Sequence, residues 1–127
     1  MPLNSAVIID DDPMQIEILR DALATLSVSN VQAFSNGGAA IRHLMQVEVP
    51  PRVIITDLHM PELDGVELMS FLKLDHARVP LIIISGAQQS TVTAAERLSS
   101  ALGLNVLGAL QKPISLKALE DLISQAE

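Results

Sequence analysis

Short apolar runs alternate along the chain with longer stretches in which apolar residues recur every three or four positions. The short runs predict strands at Ala6 to Asp10, Val28 to Phe34, Val53 to Asp57, Leu81 to Ser85 and Asn105 to Leu110. Four of these are nearly solid apolar, the pattern of strands covered on both faces. The second, Val28-Ser29-Asn30-Val31-Gln32-Ala33-Phe34, admits polar residues and reads as an edge. Helical repeats lie between the runs. Asp12 followed by Pro13 is a cap and a first-turn proline, after which Ile16, Leu19, Leu23 and Leu26 recur at helical spacing. Ser35 is placed to cap a second helix carrying Ala40, Ile41, Leu44 and Met45; Asp64 caps a third with Val66, Met69 and Leu72; Ser115 caps the last with Leu116, Leu119 and Ile123. A fourth helix runs through Ala95, Leu98 and Leu102 and stops at Gly103. Alternation of this kind predicts an α/β fold, a doubly wound five-stranded parallel sheet with helices on both faces, and the polar second strand favours the order 2-1-3-4-5.

Residues 1–127 are expected to form a single domain, because the chain has enough residues for one core and little left for a second. Hydrophobic residues make up 49% and mean hydropathy is +0.38, so enough apolar surface exists to offset the entropy of ordering the chain. Val49-Pro50-Pro51 and Val79-Pro80 punctuate the chain just before strands, and no repeat or linker is visible.

Charge narrows the partners. Fifteen acidic against eight basic side chains give a net charge of −7, the wrong sign for tracking a nucleic-acid backbone. Phe34 and Phe71 are the only aromatics, too few to stack a series of unpaired bases. No cysteine occurs, which excludes disulfides, thiolate metal sites and cysteine nucleophiles. The longest aliphatic run, Leu81 to Ile84, falls far short of the ~20 residues of a spanning helix, so no membrane association is expected. With no secretory segment to read, the cytoplasm is the expected location.

The chemistry collects at the carboxyl ends of predicted strands, where open α/β sheets bind ligands. Asp10 and Asp11 close the first strand, Asp57 the third and Ser85 the fourth, and Lys112 follows the fifth. In a parallel sheet all of these meet on one edge. Carboxylates crowded there repel, and a hard divalent cation such as Mg²⁺, which takes oxygen ligands and keeps several waters, relieves the repulsion. Each residue also has an ordinary reading: Asp10-Asp11-Asp12 as a solvated turn and cap, Asp57 and Ser85-Gly86 as turn residues, Lys112 before Pro113 as a surface lysine. The conjunction of four strand ends in the right order is what favours the functional reading over these.

The same residues resemble a known family. VIIDDDP from Val7, IITDLHMPELDG from Ile54, LIIISGA from Leu81 and LQKP from Leu110 look like the receiver domains of two-component response regulators, which have a flavodoxin-like fold. The resemblance implies that Asp57 is a phosphoacceptor, that Asp10 and Asp11 hold Mg²⁺ with the backbone carbonyl of His59, and that Ser85 and Lys112 contact the phosphoryl group. It implies a sensor histidine kinase or phosphotransfer protein as donor and an output domain or downstream protein as target. It also implies a cis Lys112-Pro113 peptide, and a His59 side chain beside the path of the hydrolytic water. The chain departs from the pattern at Ala109, where the family often carries Tyr or Phe. LGLNVLGALQKPIS is similar to receivers that precede cyclic-di-GMP phosphodiesterase domains, which implies an excised N-terminal part of a larger regulator.

Two other functions compete. A degenerate receiver would bind partners without phosphorylation, but such members usually lose one of the residues kept here. A phosphatase of the haloacid dehalogenase type forms an aspartyl phosphate and needs a second Asp two residues after the nucleophile, where this chain has His59. The chain is therefore expected to be no enzyme toward external substrates, catalysing only its own phosphorylation and dephosphorylation.

Overall fold

In the computed structural model, which describes residues 5–57, 78–86, 93, 96–97, 100 and 103–126, five strands form one parallel sheet. They are β1 (Ser5–Ile9), β2 (Asn30–Phe34), β3 (Val53–Asp57), β4 (Leu81–Ser85) and β5 (Val106–Gln111), in the order β2-β1-β3-β4-β5. Three described helices, α1 (Pro13–Thr25), α2 (Gly37–Gln46) and α3 (Leu116–Ala126), complete the doubly wound arrangement. The predicted third helix, with Asp64, Val66, Met69 and Leu72, lies outside the described residues, as do Ala95, Leu98 and Leu102 of the fourth. Thr93, Glu96, Arg97 and Ser100 of that fourth stretch are helical, and Gly103 follows with φ +84.

Side chains alternate across the sheet and feed two cores. Ala6, Ile8, Val53, Ile55, Ile82 and Ile84 pack under Leu19 and Leu23 of α1 and Leu119 and Ile123 of α3. Val7, Ile9, Ile54, Leu81 and Ile83 turn the other way, under Ala40 and Leu44 of α2. Burying each such Leu or Ile contributes roughly 1.5–3 kcal/mol, so β1, β3 and β4, apolar on both faces, anchor the sheet. The polar strand β2 is an edge, as its composition predicts.

Element ends differ from the sequence reading in instructive ways. The second strand begins at Asn30, not Val28, because Val28 belongs to the exit from α1. Its N–H donates to Leu23 O at 2.9 Å and the Ser27 N–H to Ala24 O at 3.0 Å, the paired bonds of a Schellman motif. Ser27 sits at the left-handed position with φ 66, where glycine is usual. The second helix is capped by Asn36, not Ser35: Asn36 Oδ1 accepts the Ala39 N–H at 2.8 Å. The bond from Asp10 N–H to Phe34 O keeps the chain in the sheet through Phe34, which delays the helix start to Gly37. With that phase Ala40 and Leu44 face the core, whereas Met45, expected on the apolar stripe, is 69% exposed. Ser115 does cap α3, accepting the Ala118 N–H at 3.3 Å.

The fifth strand starts one residue later than predicted, at Val106. Leu81 pairs with Val106 but Ile82 with Gly108, so Leu107 is an extra residue and the ladder bulges there. A Cβ on Gly108 would lie 2.9 Å from Leu122 Cδ2, which shows how closely α3 approaches β5.

Three substitutions test these ends by chemical denaturation. Ser27→Gly relieves the left-handed position and is expected to stabilise the chain by about 1 kcal/mol. Asn36→Ala is expected to cost ~1 kcal/mol, whereas Ser35→Ala should change stability by less than about 0.5 kcal/mol; the reverse ranking would contradict the cap assignment.

Candidate functional site

Strand periodicity positions the carboxylates. Asp10 continues the face of Ile8 and Asp57 the face of Ile55, and the register Ile9 opposite Thr56 carries one step further to bring Asp10 abreast of Asp57. Lys112 arrives from β5: Gln111 pairs with Ser85, and the Lys112 N–H donates to Ser85 O at 2.8 Å. Its Nζ then lies 3.1 Å from Asp57 Oδ2, to which it donates, and 3.2 Å from Asp10 Oδ2. The Lys112-Pro113 peptide is cis.

Asp11 joins from the turn after β1, and one oxygen each of Asp10, Asp11 and Asp57 lie within 4.8 Å of one another. Asp10 is fully buried, Asp57 nearly so, and Asp11 exposed, so the cluster has a dry floor and a wet rim. Ser85, at the end of β4, is also fully buried. Asp12 does not join them. It performs the ordinary task of capping α1, with Oδ1 accepting the Met14 N–H at 3.0 Å. His59 lies outside the described residues. The remaining predicted site residues, Asp10, Asp11, Asp57, Ser85 and Lys112, therefore stand at one end of the sheet.

Burial is the main reason the Asp10 carboxyl is held above its ordinary value of 3.8, and the neighbouring charge of Asp57 pushes the same way. The Asp12 N–H, donated to Asp10 Oδ1 at 2.9 Å, and the Lys112 ammonium offset only part of this. For Lys112, burial pulls the ammonium down, but its hydrogen bond to Asp57 and the charges of Asp57 and Asp10 outweigh that and raise it above 10.5. When all are ionised, three carboxylates face one ammonium, and two negative charges remain unbalanced. Among the described residues Asp10 Oδ2 is buried and receives no well-directed hydrogen bond despite the nearby Lys112. A cluster of hard oxygen donors with surplus negative charge and an unsatisfied buried oxygen suits a small divalent cation.

One buried polar residue escaped the sequence reading. Gln15 is 7% exposed and faces inward with Leu19 and Leu23, and its Nε2 has no hydrogen-bond partner among the described residues. Its signal was the spacing Asp12-Pro13-Met14-Gln15, a capping-box pattern. A cavity of about 410 Å³ opens elsewhere, between Ser5, Asn30, His43 and Pro50; its lining includes no acidic or basic cluster, so the carboxylates, not the cavity, mark the chemistry.

Comparison with known proteins bears on the fold and the family. The family model described as response regulator receiver domain matches residues 6–124. A protein-glutamate methylesterase/protein-glutamine glutaminase of Carboxydothermus hydrogenoformans is 33% identical over 119 residues, covering 90% of this chain and 32% of that protein. Among solved structures, a response regulator from Colwellia psychrerythraea superimposes with a TM-score of 0.79 at 30% identity, covering 97% of this chain and 95% of that one. The signal receiver domain of a modulated diguanylate cyclase from Desulfovibrio desulfuricans gives 0.78 at 26% identity, covering 98% and 93%. The chain spans between about a fifth and a half of the length of the curated relatives it matches. Among the described residues no helix is long and apolar enough to cross a membrane.

The raised Asp10 carboxyl makes a pH dependence testable. Between 3.8 and its higher folded value the folded chain holds more protons at Asp10 than the unfolded chain, so this residue's contribution to stability falls as pH rises through that window. In metal-free buffer at neutral pH, Asp10→Asn is expected to raise the midpoint of chemical denaturation and to flatten the pH profile in the window just above 3.8. A lower midpoint for the variant would show that the charged Asp10–Lys112 contact outweighs the cost of burial. The stability that Lys112 contributes runs the other way: it is complete below 10.5 and is lost as pH rises through the folded value.

Proposed function

This chain belongs to the response regulator receiver family, and we propose that Asp57 is the residue on which it accepts a phosphoryl group from a sensor histidine kinase or a phosphotransfer protein. The observation that supports this reading is the convergence of Asp57, Asp10 and Lys112, with contacts of 3.1 and 3.2 Å, at the carboxyl end of a parallel sheet. A carboxylate oxygen of Asp57 attacks phosphorus, the bond from phosphorus to the donor nitrogen breaks, and water later hydrolyses the acyl phosphate. Lys112 balances charge on the transferring oxygens, a task suited to a compact ammonium already lying against Asp57. The Ser85 hydroxyl, at the end of the neighbouring strand, is assigned to bonding the phosphoryl oxygens.

Asp10, Asp11 and Asp57 would hold Mg²⁺, and the resemblance adds the backbone carbonyl of His59. Bound there, the ion would supply the positive charge that the carboxylates lack and the phosphoryl oxygens need. In this reading residues 1–127 are one cytoplasmic receiver domain that turns over no external substrate. Its output is assigned to a further domain or a downstream protein, with a cyclic-di-GMP phosphodiesterase domain in the same chain as the specific candidate, supported by LGLNVLGALQKPIS.

The output route differs from the family's common one. Ala109 is half-buried on the α2 face of the sheet and offers no ring to move. Phosphorylation adds charge and acceptor oxygens beside Ser85, and the signal is assigned to Ser85 and to the backbone of the fourth and fifth strands.

Intact mass spectrometry after acetyl phosphate and Mg²⁺ is expected to show one labile phosphoryl adduct, absent in Asp57→Asn. No adduct would leave a phosphorylation-independent binding module, and steady phosphate release from varied esters would indicate a phosphatase. In spectra of the BeF₃⁻-treated chain the amides from Gln88 to Leu110 are expected to shift; unmoved amides there would contradict the output route. Mg²⁺ should raise the melting temperature of the wild type and leave the Asp10→Ala, Asp11→Ala double variant unchanged; equal shifts would count against the metal assignment.

A further inference from the structure

The first turn of α1 contains a contest for one amide hydrogen. In a capping box the N3 side chain reaches back to accept the backbone N–H of the cap residue. Asp12 is the cap of α1 and Gln15 stands at N3, so the Gln15 carboxamide has the right position for that bond. The bond is taken instead by Asp10, whose Oδ1 accepts the Asp12 N–H at 2.9 Å. Gln15 lies inward, 7% exposed, with a buried Nε2 that has no hydrogen-bond partner among the described residues. Because no bond among the described residues holds Nε2, none has to break on that side for the carboxamide to turn and offer Oε1 to the Asp12 N–H, provided Asp10 lets go.

Asp10 has a competing engagement. Its Oδ1 is committed to the Asp12 N–H, while its buried Oδ2 lies 3.2 Å from Lys112 without a well-directed hydrogen bond among the described residues. For Asp10 to turn both oxygens toward the site, the Asp12 N–H needs another acceptor. The only described side chain at capping-box distance in sequence is Gln15.

We propose that Gln15 is a positioning residue for Asp10: its carboxamide oxygen is the alternative acceptor of the Asp12 N–H and frees Asp10 to turn toward the carboxylate site without leaving that N–H unpaired. The number of bonds to the helix start is the same in both arrangements, so the exchange is cheap. The purpose of the exchange rests on the function proposed above, in which Asp10 faces a cation; the exchange itself is a property of the metal-free chain and is tested there.

The test is hydrogen exchange at the Asp12 backbone amide in metal-free wild type, Asp10→Ala, Gln15→Met and the double variant. Asp10→Ala removes the present acceptor, and Gln15→Met removes the alternative at nearly equal volume. Each single variant is expected to keep the amide as protected as in wild type, and the double variant to exchange about tenfold faster, the loss of one ordinary hydrogen bond. Asp10→Ala combined with Gln15→Glu, which restores an acceptor at N3, should return the protection, a rescue that a purely packing role for Gln15 would not produce. Should Asp10→Ala not fold, Asp10→Gly removes the same acceptor. Exchange in Asp10→Ala as fast as in the double variant would overturn the proposal. If the cycle behaves as expected but Mg²⁺ leaves the Asp11 and Asp57 amide resonances of the wild type unmoved, the exchange stands and the metal reading falls.

Discussion

The structure depends on keeping two buried carboxylates, Asp10 and Asp57, beside each other at the end of a hydrophobic sheet. At an effective dielectric of ~20, two like charges ~4 Å apart repel by about 4 kcal/mol, a large fraction of the stability of a domain of this size. Lys112 is what makes the arrangement tolerable, since its ammonium touches both. Compensation is partial, and the Asp10 carboxyl is still raised, chiefly by burial and then by the charge of Asp57. A site in that condition favours added positive charge and, once charged, the oxygens of a phosphoryl group.

The sheet supplies the rigidity that this crowding requires. Ile8, Ile55, Ile82 and Ile84 are fully buried beneath the acidic end, so the strands that carry Asp10, Asp57 and Ser85 cannot splay to separate the charges. The bulge at Leu107 adjusts the last strand, after which the Lys112 N–H bonds Ser85 O and its side chain returns to the carboxylates. Stability is thus spent at one end of the molecule and recovered in its two apolar cores.

Much of this was legible because strands and their ends obey a period of two. Val53 to Asp57 and Leu81 to Ser85 have the predicted bounds, and the polar composition of Asn30 to Phe34 correctly marked an edge. Local competition was less legible. Val28 reads as strand by side chain but is recruited by its N–H into the end of α1, and Ser35 and Asn36 are both good caps between which a backbone bond to Phe34 decides. The site residues were visible as strand ends. Gln15 was not, because its role depends on which of two acceptors wins the Asp12 N–H, and that is settled by geometry.

In the proposed reading Asp10, Asp11 and Asp57 act together as one oxygen-donor site for a divalent cation beside Lys112. Crystals soaked in Mn²⁺, an anomalously scattering substitute that also favours carboxylate and water ligands, test it most directly. One strong anomalous peak is expected among the three carboxylates, with Lys112 still against Asp57. A map with no peak there, or with its only peak elsewhere on the molecule, would contradict it.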